Sequence, residues 1–389
     1  MTAFNTDEVQ RADAGPTGLR ERTEQGILDV VFSEAVPLTR VDIAARTGLS
    51  KPTVNAAVRR LERAGLLVPA GIQTGRQGRV ATFYEVAETA GAVVAVELNP
   101  SVIRVAVSDL LGRKVTRERF APPRSPKAVA RELERIVGAA SDRARSGQTP
   151  LRAVAISVAK PVDPRTLSVI ELPDTPYPEG LIQPVEFLSE TIDAPLLVDN
   201  DVNLAALGEQ RNGVAKKVSN FVFLYVGAGI GLGLVIDGEV MRGSRGLAGE
   251  VGYLPSRADA TGKRHGLARA VAELGLGPRR QDAWYADTVA EARTLLRAAE
   301  DGDQHALDAV RRAGRALGEA ATAICAVIDP ELIVLGGPVG ANPLLVDDVQ
   351  RTLDELAPVS TPVVVSTLGD SAPLEGALEL ARRHARENL

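Results

Sequence analysis

The chain has 389 residues, of which 45% are hydrophobic and 3% aromatic, and its formal net charge is −5 at pH 7. This length predicts two or three domains, with enough apolar side chains for a core built from Val, Leu, Ile and Ala. The single cysteine, Cys325, excludes an intramolecular disulfide framework and is typical of a reducing cytoplasm, where we expect the protein to be located.

The first strongly patterned segment, residues 38–68, predicts two short amphipathic helices joined by a tight turn. Thr39 and Asp42 have the spacing of a capping box at the start of the first helix. Gly48 supplies the left-handed residue that ends that helix, and Ser50 caps the next one. This arrangement predicts a helix-turn-helix.

The second of these helices carries two different faces. A buried stripe is predicted from apolar residues at helical spacing, namely Val54, Ala57, Val58 and Leu61. Lys51, Asn55 and Arg59 lie four apart on another face, where Lys and Asn can meet guanine and adenine edges in the major groove. The DNA-binding residues predicted for this helix are Lys51, Thr53, Asn55, Arg59 and Arg60.

Two strands complete a winged helix-turn-helix. The first begins at 66–68 and runs to a glycine-containing turn at 75–78, and the second covers 80–86. Arg76 and Arg79 lie at the tip of this wing, and we expect them to enter the adjacent minor groove of DNA.

The charge distribution favours nucleic acid as the partner of this segment. Between Arg40 and Arg79 there are eight Lys or Arg residues and two acidic residues, a local charge of +6, so the rest of the chain carries −11. A basic face on an acidic body predicts phosphate contact at one end only. The alternative is a protein-docking module whose basic face is solvated.

After a short link at 88–90 the pattern changes to that of an α/β body. Three consecutive strands, a helix and a further strand are predicted, at 92–98, 102–108, 114–120, 126–145 and 153–158. A similar succession follows, with strands at 195–198, 221–236 (a hairpin), 332–335 and 363–366, and helices over much of 282–328. The uncharged hairpin is interrupted by four glycines, which argues against a transmembrane helix. Two lobes with a cleft between them are therefore predicted, in a soluble protein.

Four segments together resemble the ROK family (repressors, open reading frames and sugar kinases). They are DNDVNLAALGE at 199–209, VGAGIGLGLVIDGEVMRG at 226–243, GLAGEVG at 246–252 and IDPELIVLGG at 328–337. The resemblance covers nearly the whole chain, the winged helix-turn-helix included. It implies an α/β fold with an actin-like (ribonuclease H-like), two-lobed, sugar-kinase-type body, assembled as a homodimer or homotetramer.

The domain organisation follows from the motifs and this resemblance. Residues 1–18 are polar, carry no cleavable signal and are predicted to be a disordered tail. Residues 19–87 are predicted to form the DNA-binding domain. Residues 91–389 are predicted to form the sugar-kinase-like domain, with its cleft near 199–203.

The resemblance also implies where kinase chemistry would lie. Asp201 matches the general base of ROK sugar kinases, and Asn200 and Glu250 match residues that bind sugar hydroxyls. Gly227–Gly233 retains the second phosphate loop, whose backbone amides could approach a phosphate. The first loop, expected as Asp-x-Gly-Gly-Thr, is Glu-Leu-Asn-Pro-Ser at 97–101, and its proline lacks an amide donor.

The zinc site of the family is also missing from the sequence. Its histidine position is Tyr253, and its cysteine positions are Ala260, Gly262 and Leu267. Arg269 aligns with a sugar-contacting glutamate. We therefore predict no catalytic residues, no metal and no cofactor.

The cleft could still hold a regulatory ligand. The candidate ligand-binding residues are Asn200, Asp201, Glu250 and Arg269. Arginine at position 269 favours an anionic ligand such as a sugar phosphate or sugar acid. Alternatively these polar groups serve only the fold. Residues 157–160, Ser-Val-Ala-Lys, replace Gly-x-Pro-Gly, and Asp174 replaces a usual asparagine, so the pocket departs from that of a sugar kinase.

These observations predict a sequence-specific transcriptional regulator, a repressor, whose affinity for a double-stranded operator is tuned by a sugar or sugar-phosphate effector. A dimer would place two recognition helices on an inverted repeat. No membrane partner is expected. Two alternatives remain, an active ATP-dependent sugar kinase with a regulatory head, and a constitutive DNA-binding scaffold that has lost its effector.

Overall fold

The computed structural model describes residues 16–34, 36–74, 80–145, 149–172, 182–256, 265–277 and 285–389. The described residues form an N-terminal head and a body with two five-stranded sheets. The mixed α/β character and the two-lobed body agree with the fold class predicted from the sequence.

The head is a winged helix-turn-helix with a helix added at its start. Its three-stranded sheet has the order β1-β3-β2, and its strands are antiparallel. Its elements are α1 (Pro16–Ser33), β1 (Leu38–Thr39), α2 (Arg40–Thr47), α3 (Lys51–Arg63), β2 (Leu67–Thr74) and β3 (Val80–Val86). Because α1 begins at Pro16, the last three residues of the predicted disordered tail are helical; residues 1–15 lie outside the described part.

The local signals in the head are present as predicted. Thr39 and Asp42 form a reciprocal capping box on α2, and Gly48 ends that helix with a φ of 69°. The Ser50 side chain accepts a hydrogen bond from the backbone N–H of Thr53 at the start of α3. The predicted apolar stripe is buried, comprising Val54, Ala57, Val58 and Leu61.

The first lobe contains a mixed sheet in the order β6-β5-β4-β7-β8. Strands β4, β7 and β8 are parallel, and β5 and β6 run antiparallel to their neighbours. Helices α4 and α5 cover one face of this sheet. The bounds are β4 (Ala92–Asn99), β5 (Val102–Asp109), β6 (Val115–Phe120), α4 (Pro126–Ala144), β7 (Leu151–Val158), α5 (Pro184–Leu188) and β8 (Leu196–Asn200).

The second lobe also contains a five-stranded sheet, in the order β11-β10-β9-β12-β13. Its outer face packs against α9, which pairs with α8 and α11. The bounds are α6 (Asp201–Asn212), β9 (Phe221–Val226), β10 (Ile230–Ile236), β11 (Glu239–Val240), α7 (Leu267–Val271), α8 (Tyr285–Glu300), α9 (Gln304–Ile328), β12 (Leu332–Gly336), α10 (Gly337–Gly340), α11 (Pro343–Leu356), β13 (Val363–Val365) and α12 (Ala372–Glu387).

Helices α6 and α12 tie the lobes together. Helix α6 contacts strands of both sheets, and α12, the last helix, returns to lie on β4 and β7 of the first lobe. The two helices approach so closely that a Cβ atom on Gly376 would lie 1.7 Å from the carbonyl oxygen of Leu204. Only glycine fits at such a crossing. Neither α11 nor α12 is among the helices predicted from the sequence.

Among the described residues no helix is both long and apolar enough to span a membrane. The uncharged segment 221–236 forms the antiparallel hairpin β9–β10, as its glycines predicted. The link at Glu88–Ala90 is a short 3-10 helix between head and body.

Candidate DNA-binding face and interlobe cleft

The outward face of α3 presents three polar side chains. Lys51, Asn55 and Arg59 are exposed, in contrast to the buried stripe of the same helix. Within the described part of the chain none of the three side chains makes a hydrogen bond or ion pair. Exposed groups of this kind keep all their hydrogen-bonding capacity for an external partner.

Thr53 and Arg60, also predicted to contact DNA, are engaged within the head. The Thr53 hydroxyl lies 2.8 Å from that of the capping residue Ser50. Arg60 forms an ion pair with Glu24 of α1, with about a third of its side chain exposed. Its position therefore fits a residue that fixes α3 against α1. Arg76 and Arg79 lie in 75–79, outside the described residues.

Asn200 ends β8 and caps α6. Its Oδ1 accepts hydrogen bonds from the backbone N–H groups of Val202, at 2.9 Å, and Asn203, at 3.2 Å. Its Nδ2 donates to the carbonyl oxygen of Lys160 at 3.1 Å. Both ends of the Asn200 amide are thus engaged in hydrogen bonds within the protein.

Asp201, the first residue of α6, lies in the cleft near two other carboxyl groups. Burial raises its pKa to about 7, and the nearby carboxylates of Glu97 and Glu250 add to the effect. Burial also raises the pKa of Glu250, while the Lys160 ammonium opposes that rise. The cleft therefore contains carboxyl groups that hold their protons more tightly than carboxyl groups in water do.

Glu97, at the end of β4, is the second carboxylate of the cleft and is only 2% exposed. Its Oε1 lies 2.5 Å from Nη1 of Arg104, which also donates to the carbonyl oxygen of Asp370 at 3.0 Å. Burial raises the pKa of Glu97, and Arg104 opposes that rise. The sequence reading did not single out Arg104, although Glu97 and Arg104 are directly opposite in the β4–β5 hairpin register and this register could have revealed the pair.

A further ion pair involves Asp199, the residue that precedes Asn200. Nε and Nη2 of Arg242 lie 2.8 and 2.7 Å from Oδ2 of the buried Asp199. The sequence reading also missed this pair, which closes a separation of 43 residues. It holds the loop after β11 against the end of β8.

The lobes enclose a cavity of about 450 Å³. Asp201 lines it, whereas Asn200, Glu250 and Arg269 are not among its lining residues. Tyr225 and six charged side chains line it, the charged ones being Glu97, Arg104, Asp201, Arg293, Arg297 and Asp370.

The segments predicted to correspond to phosphate loops, 97–101 and 227–233, have two notable contacts near this cavity. The backbone N–H of Ser101 donates to Oδ1 of Asn99 at 2.9 Å, next to Pro100, which has no N–H. The ring of Tyr225 lies between two glycine turns, one at Gly227 and the other at Gly337. A Cβ atom on Gly227 would lie 2.5 Å from its hydroxyl, and one on Gly337 would lie 2.8 Å from its ring. The Ser101 N–H is thus engaged within the chain, and the Tyr225 side chain occupies the space between Gly227 and Gly337.

Comparison with known proteins agrees with this architecture. The model of the ROK family matches residues 93–384, and the model of winged helix-turn-helix DNA-binding domains matches residues 20–68. The protein belongs to the ROK family. This confirms the resemblance drawn from the four sequence segments.

Its relatives include both repressors and ROK kinases. The xylose repressor of Bacillus spizizenii is 23% identical over 367 residues, which cover 90% of this chain and 92% of the repressor. The bifunctional enzyme NanE/NanK of Brucella suis is 30% identical over 261 residues, 64% of this chain and 46% of the enzyme. The chain spans about half the length of the first curated relatives that it matches.

Solved structures share the fold. A ROK family transcriptional regulator, a homologue of the E. coli MLC protein, superposes with a TM-score of 0.74 at 20% identity, covering 95% of this chain and 98% of the regulator. A ROK glucokinase from Streptomyces griseus in complex with glucose and AMPPNP gives a TM-score of 0.58 at 23% identity. The match covers 75% of this chain and 100% of the glucokinase, so a quarter of this chain has no counterpart in the glucokinase.

The positions that the resemblance assigned to zinc ligands can be located in part. Tyr253 is 55% exposed and Leu267 is buried at the start of α7, while Ala260 and Gly262 lie outside the described residues. Among the residues that the structure describes, no group of three or more His, Cys, Asp or Glu side chains is arranged to hold a metal ion.

Arg269 lies in α7 and does not line the cavity. Its Nε is 3.2 Å from Oε1 of Glu273, one helical turn later, and its side chain is 68% exposed. This placement gives no support to a direct role in binding an anionic ligand. Arg293 and Arg297, which the sequence reading did not consider, are the arginines of α8 that line the cavity.

Proposed function

We propose that this ROK protein is a sequence-specific transcriptional regulator, a repressor, that binds a double-stranded DNA operator through α3. The observation that carries the proposal is the outward face of α3, where Lys51, Asn55 and Arg59 have no partner among the described residues. The similarity to a xylose repressor, aligned over 90% of this chain, supports the same function.

In this proposal the N-terminal half of α3 enters the major groove. Lys51 contacts guanine, and Asn55 reads adenine through its amide. Arg76 and Arg79 of the wing contact the minor groove and its phosphates. Thr53 and Arg60 act by holding α3 at its cap and against α1. A homodimer, alone or paired into a homotetramer, would place two such helices on an inverted repeat.

The proposed body senses a ligand and does not catalyse phosphoryl transfer. Phosphoryl transfer depends on positioning and charge neutralisation around the phosphates. The Asn99 side chain occupies the Ser101 amide, and Tyr225 fills the space between the glycine turns. Asp201, with a pKa of about 7, keeps the character of a general base. The proposed loss of activity therefore rests on the phosphate site and not on the base.

The proposed effector is a sugar or sugar phosphate held in the interlobe cleft. Asn200 uses its amide for the α6 cap and the Lys160 carbonyl, so ligand contacts would fall mainly to Asp201. Glu250 does not line the cavity and would act through its charge near Asp201. Arg293 and Arg297 replace Arg269 in this proposal as the source of positive charge for a phosphate.

The decisive experiment selects DNA from a random duplex pool with the full-length protein. Binding of the selected duplex is then compared with a scrambled duplex of equal length at fixed salt, because non-specific affinity depends steeply on ionic strength. We expect a preference of at least about 10³-fold. Equal affinity for both duplexes would sink the regulator proposal.

Kinase activity is tested in parallel with Mg²⁺-ATP and a panel of hexoses and amino sugars, using a ROK glucokinase as positive control. We expect no sugar-dependent ADP production. Turnover of any sugar would establish the enzyme alternative instead.

A constitutive DNA-binding scaffold is the second candidate. It is favoured by the Asn200 amide, both ends of which form hydrogen bonds within the protein. It is also favoured by the Glu97–Arg104 and Asp199–Arg242 ion pairs, in which these charged side chains are paired without a ligand. No thermal shift with a panel of sugars and sugar phosphates, together with operator binding unaffected by them, would favour this candidate.

A further inference from the structure

Helix α12 extends from the interlobe cleft to the DNA-binding head. Its 16 residues span about 24 Å. Its first turn contributes Pro373 to the cavity wall, and the preceding residues Gly369 and Asp370 line the same cavity. Its last turn contacts α1 of the head. One rigid element therefore touches both candidate binding regions.

At the cleft end, Arg104 of β5 and Glu209 of α6 hold the segment that leads into α12. Arg104 bridges the buried Glu97 carboxylate and the carbonyl oxygen of Asp370. Glu209 of α6 is fully buried and accepts hydrogen bonds from the Ser366 hydroxyl at 2.5 Å and the Leu368 N–H at 3.0 Å. A ligand in the cavity would lie directly against Arg104 and Asp370.

At the head end, Arg386 makes a concentrated set of contacts. Its Nε and Nη2 donate to the carbonyl oxygen of Leu110 at 3.3 and 3.0 Å, and its guanidinium lies 5.2 Å from the ring centre of Phe32 in α1. Its own carbonyl oxygen accepts from Nε2 of Gln25, also in α1, at 2.8 Å. Burial lowers the pKa of Arg386, an effect that Glu379 opposes.

Helix α1 connects the contacts of Arg386 to α3, the proposed recognition helix. Gln25 bonds to α12, and its neighbour Glu24 forms the ion pair with Arg60 of α3. Apolar side chains of α1 and α12 also belong to one continuous buried cluster, which includes Ile27, Leu28 and Val31 of α1 and Ala381 and Ala385 of α12. The head is thus packed on the body through α12.

We propose that α12 couples the interlobe cleft to the recognition helix, with Arg104 as the contact at the cleft and Arg386 as the contact at the head. A ligand that displaces the Arg104–Asp370 contact shifts α12 together with α6, because the close Gly376 crossing joins the two helices. The shift moves α1 and, through Glu24 and Arg60, the angle of α3. This coupling deepens the proposed regulator function and rests on it.

The test is a double-mutant cycle on operator affinity, which needs no knowledge of the effector. Full-length wild type, Arg104→Met, Arg386→Met and the double variant are titrated onto the DNA selected by the wild type, using fluorescence anisotropy. We expect Arg104→Met to change the Kd by at least about fivefold, and this change to disappear in the Arg386→Met background.

Arg383→Met is the matched control, because Arg383 is on the same helix but pairs with Glu239 and Glu387 of the body. The effect of Arg104→Met should persist unchanged in that background. Gln25→Met supplies a second head-end variant that leaves no charge unpaired, for use if Arg386→Met does not fold. It should suppress the Arg104→Met effect in the same way.

Independent effects in the cycles with Arg386→Met and Gln25→Met, agreeing within about twofold, would overturn the coupling while leaving the regulator function intact. No effect of Arg104→Met on the Kd would overturn it as well. If the wild type shows no preference for any selected duplex, the regulator function fails, and the coupling that rests on it fails too.

Discussion

The outward face of α3 and the cleft between the lobes contain the same kinds of side chain, but their partners differ. Lys51 and Asn55 on α3 are exposed and have no partner within the described part of the chain. In the cleft, Glu97 is paired with Arg104, and Asn200 is bonded at both ends of its amide. Exposed polar groups are hydrated and free to exchange water for a ligand, whereas buried ones need protein partners. The face of α3 therefore keeps its hydrogen-bonding groups available, whereas Glu97 and Asn200 could bind a ligand only by exchanging existing contacts.

The largest expected effect tests the cleft side of this contrast. The folded-state pKa of Asp201 is about 7, above the ordinary value of 3.8, so the folded protein binds that proton more tightly than the unfolded chain. The stabilisation from this proton is complete below pH 3.8 and is lost as the pH rises towards 7. Asp201→Asn should therefore raise the free energy of unfolding at pH 8, by up to about 4 kcal/mol, and change it little at pH 4.

Urea unfolding of the wild type and Asp201→Asn at the two pH values measures this difference. Asp142→Asn is the control, because Asp142 is exposed on α4. A stability gain for Asp201→Asn that is equal at pH 4 and pH 8 would contradict the buried, proton-binding carboxyl.

The next effect tests the exposed face of α3. Asn55→Ala should weaken operator binding by about 1–3 kcal/mol and relax the preference for one base pair, because a bidentate amide contact to adenine is lost. Titrations against operators substituted at each position measure both quantities. Arg63→Ala, also exposed on α3 but in its last turn, should lower affinity without changing base preference. An unchanged preference in Asn55→Ala would remove Asn55 from base recognition.

A smaller effect concerns the ion pair that connects α1 with α3. Glu24→Gln should lower the free energy of unfolding by no more than about 1 kcal/mol, because both side chains remain partly exposed to solvent. Arg60→Met should lower operator affinity to a similar extent as Glu24→Gln, and the double variant should add little further. Strictly additive losses in operator affinity would show that Arg60 contacts DNA directly, independently of Glu24.

The smallest effect concerns the wing. Arg76→Ala should reduce the slope of log affinity against log salt concentration by about one, with a loss of affinity that is similar for the operator and for a scrambled duplex. Titrations at several salt concentrations measure the slope. A loss confined to the operator would instead identify Arg76 as a residue that reads sequence.

What could be predicted from the sequence depends on short-range physics. The Thr39–Asp42 capping box, the left-handed Gly48 and the Ser50 cap involve residues within a few positions of one another, so local preferences decide them. Strand alternation likewise located β4 to β7 to within two residues at their ends. The family motifs placed Asp201 at the cleft, but they could not show that Arg269 lies outside the cavity.

The tertiary structure decided the contacts that join distant parts of the chain. Arg60 turns towards Glu24 because α1 packs beside α3, and Arg386 reaches Leu110 across 276 residues because α12 returns to the first lobe. No periodicity or capping signal specifies such a contact, because it depends on where the whole chain places two surfaces. The sequence by itself determined that the chain has a recognition helix and a kinase-like cleft, and only the packing of α12 determined that one helix touches both regions.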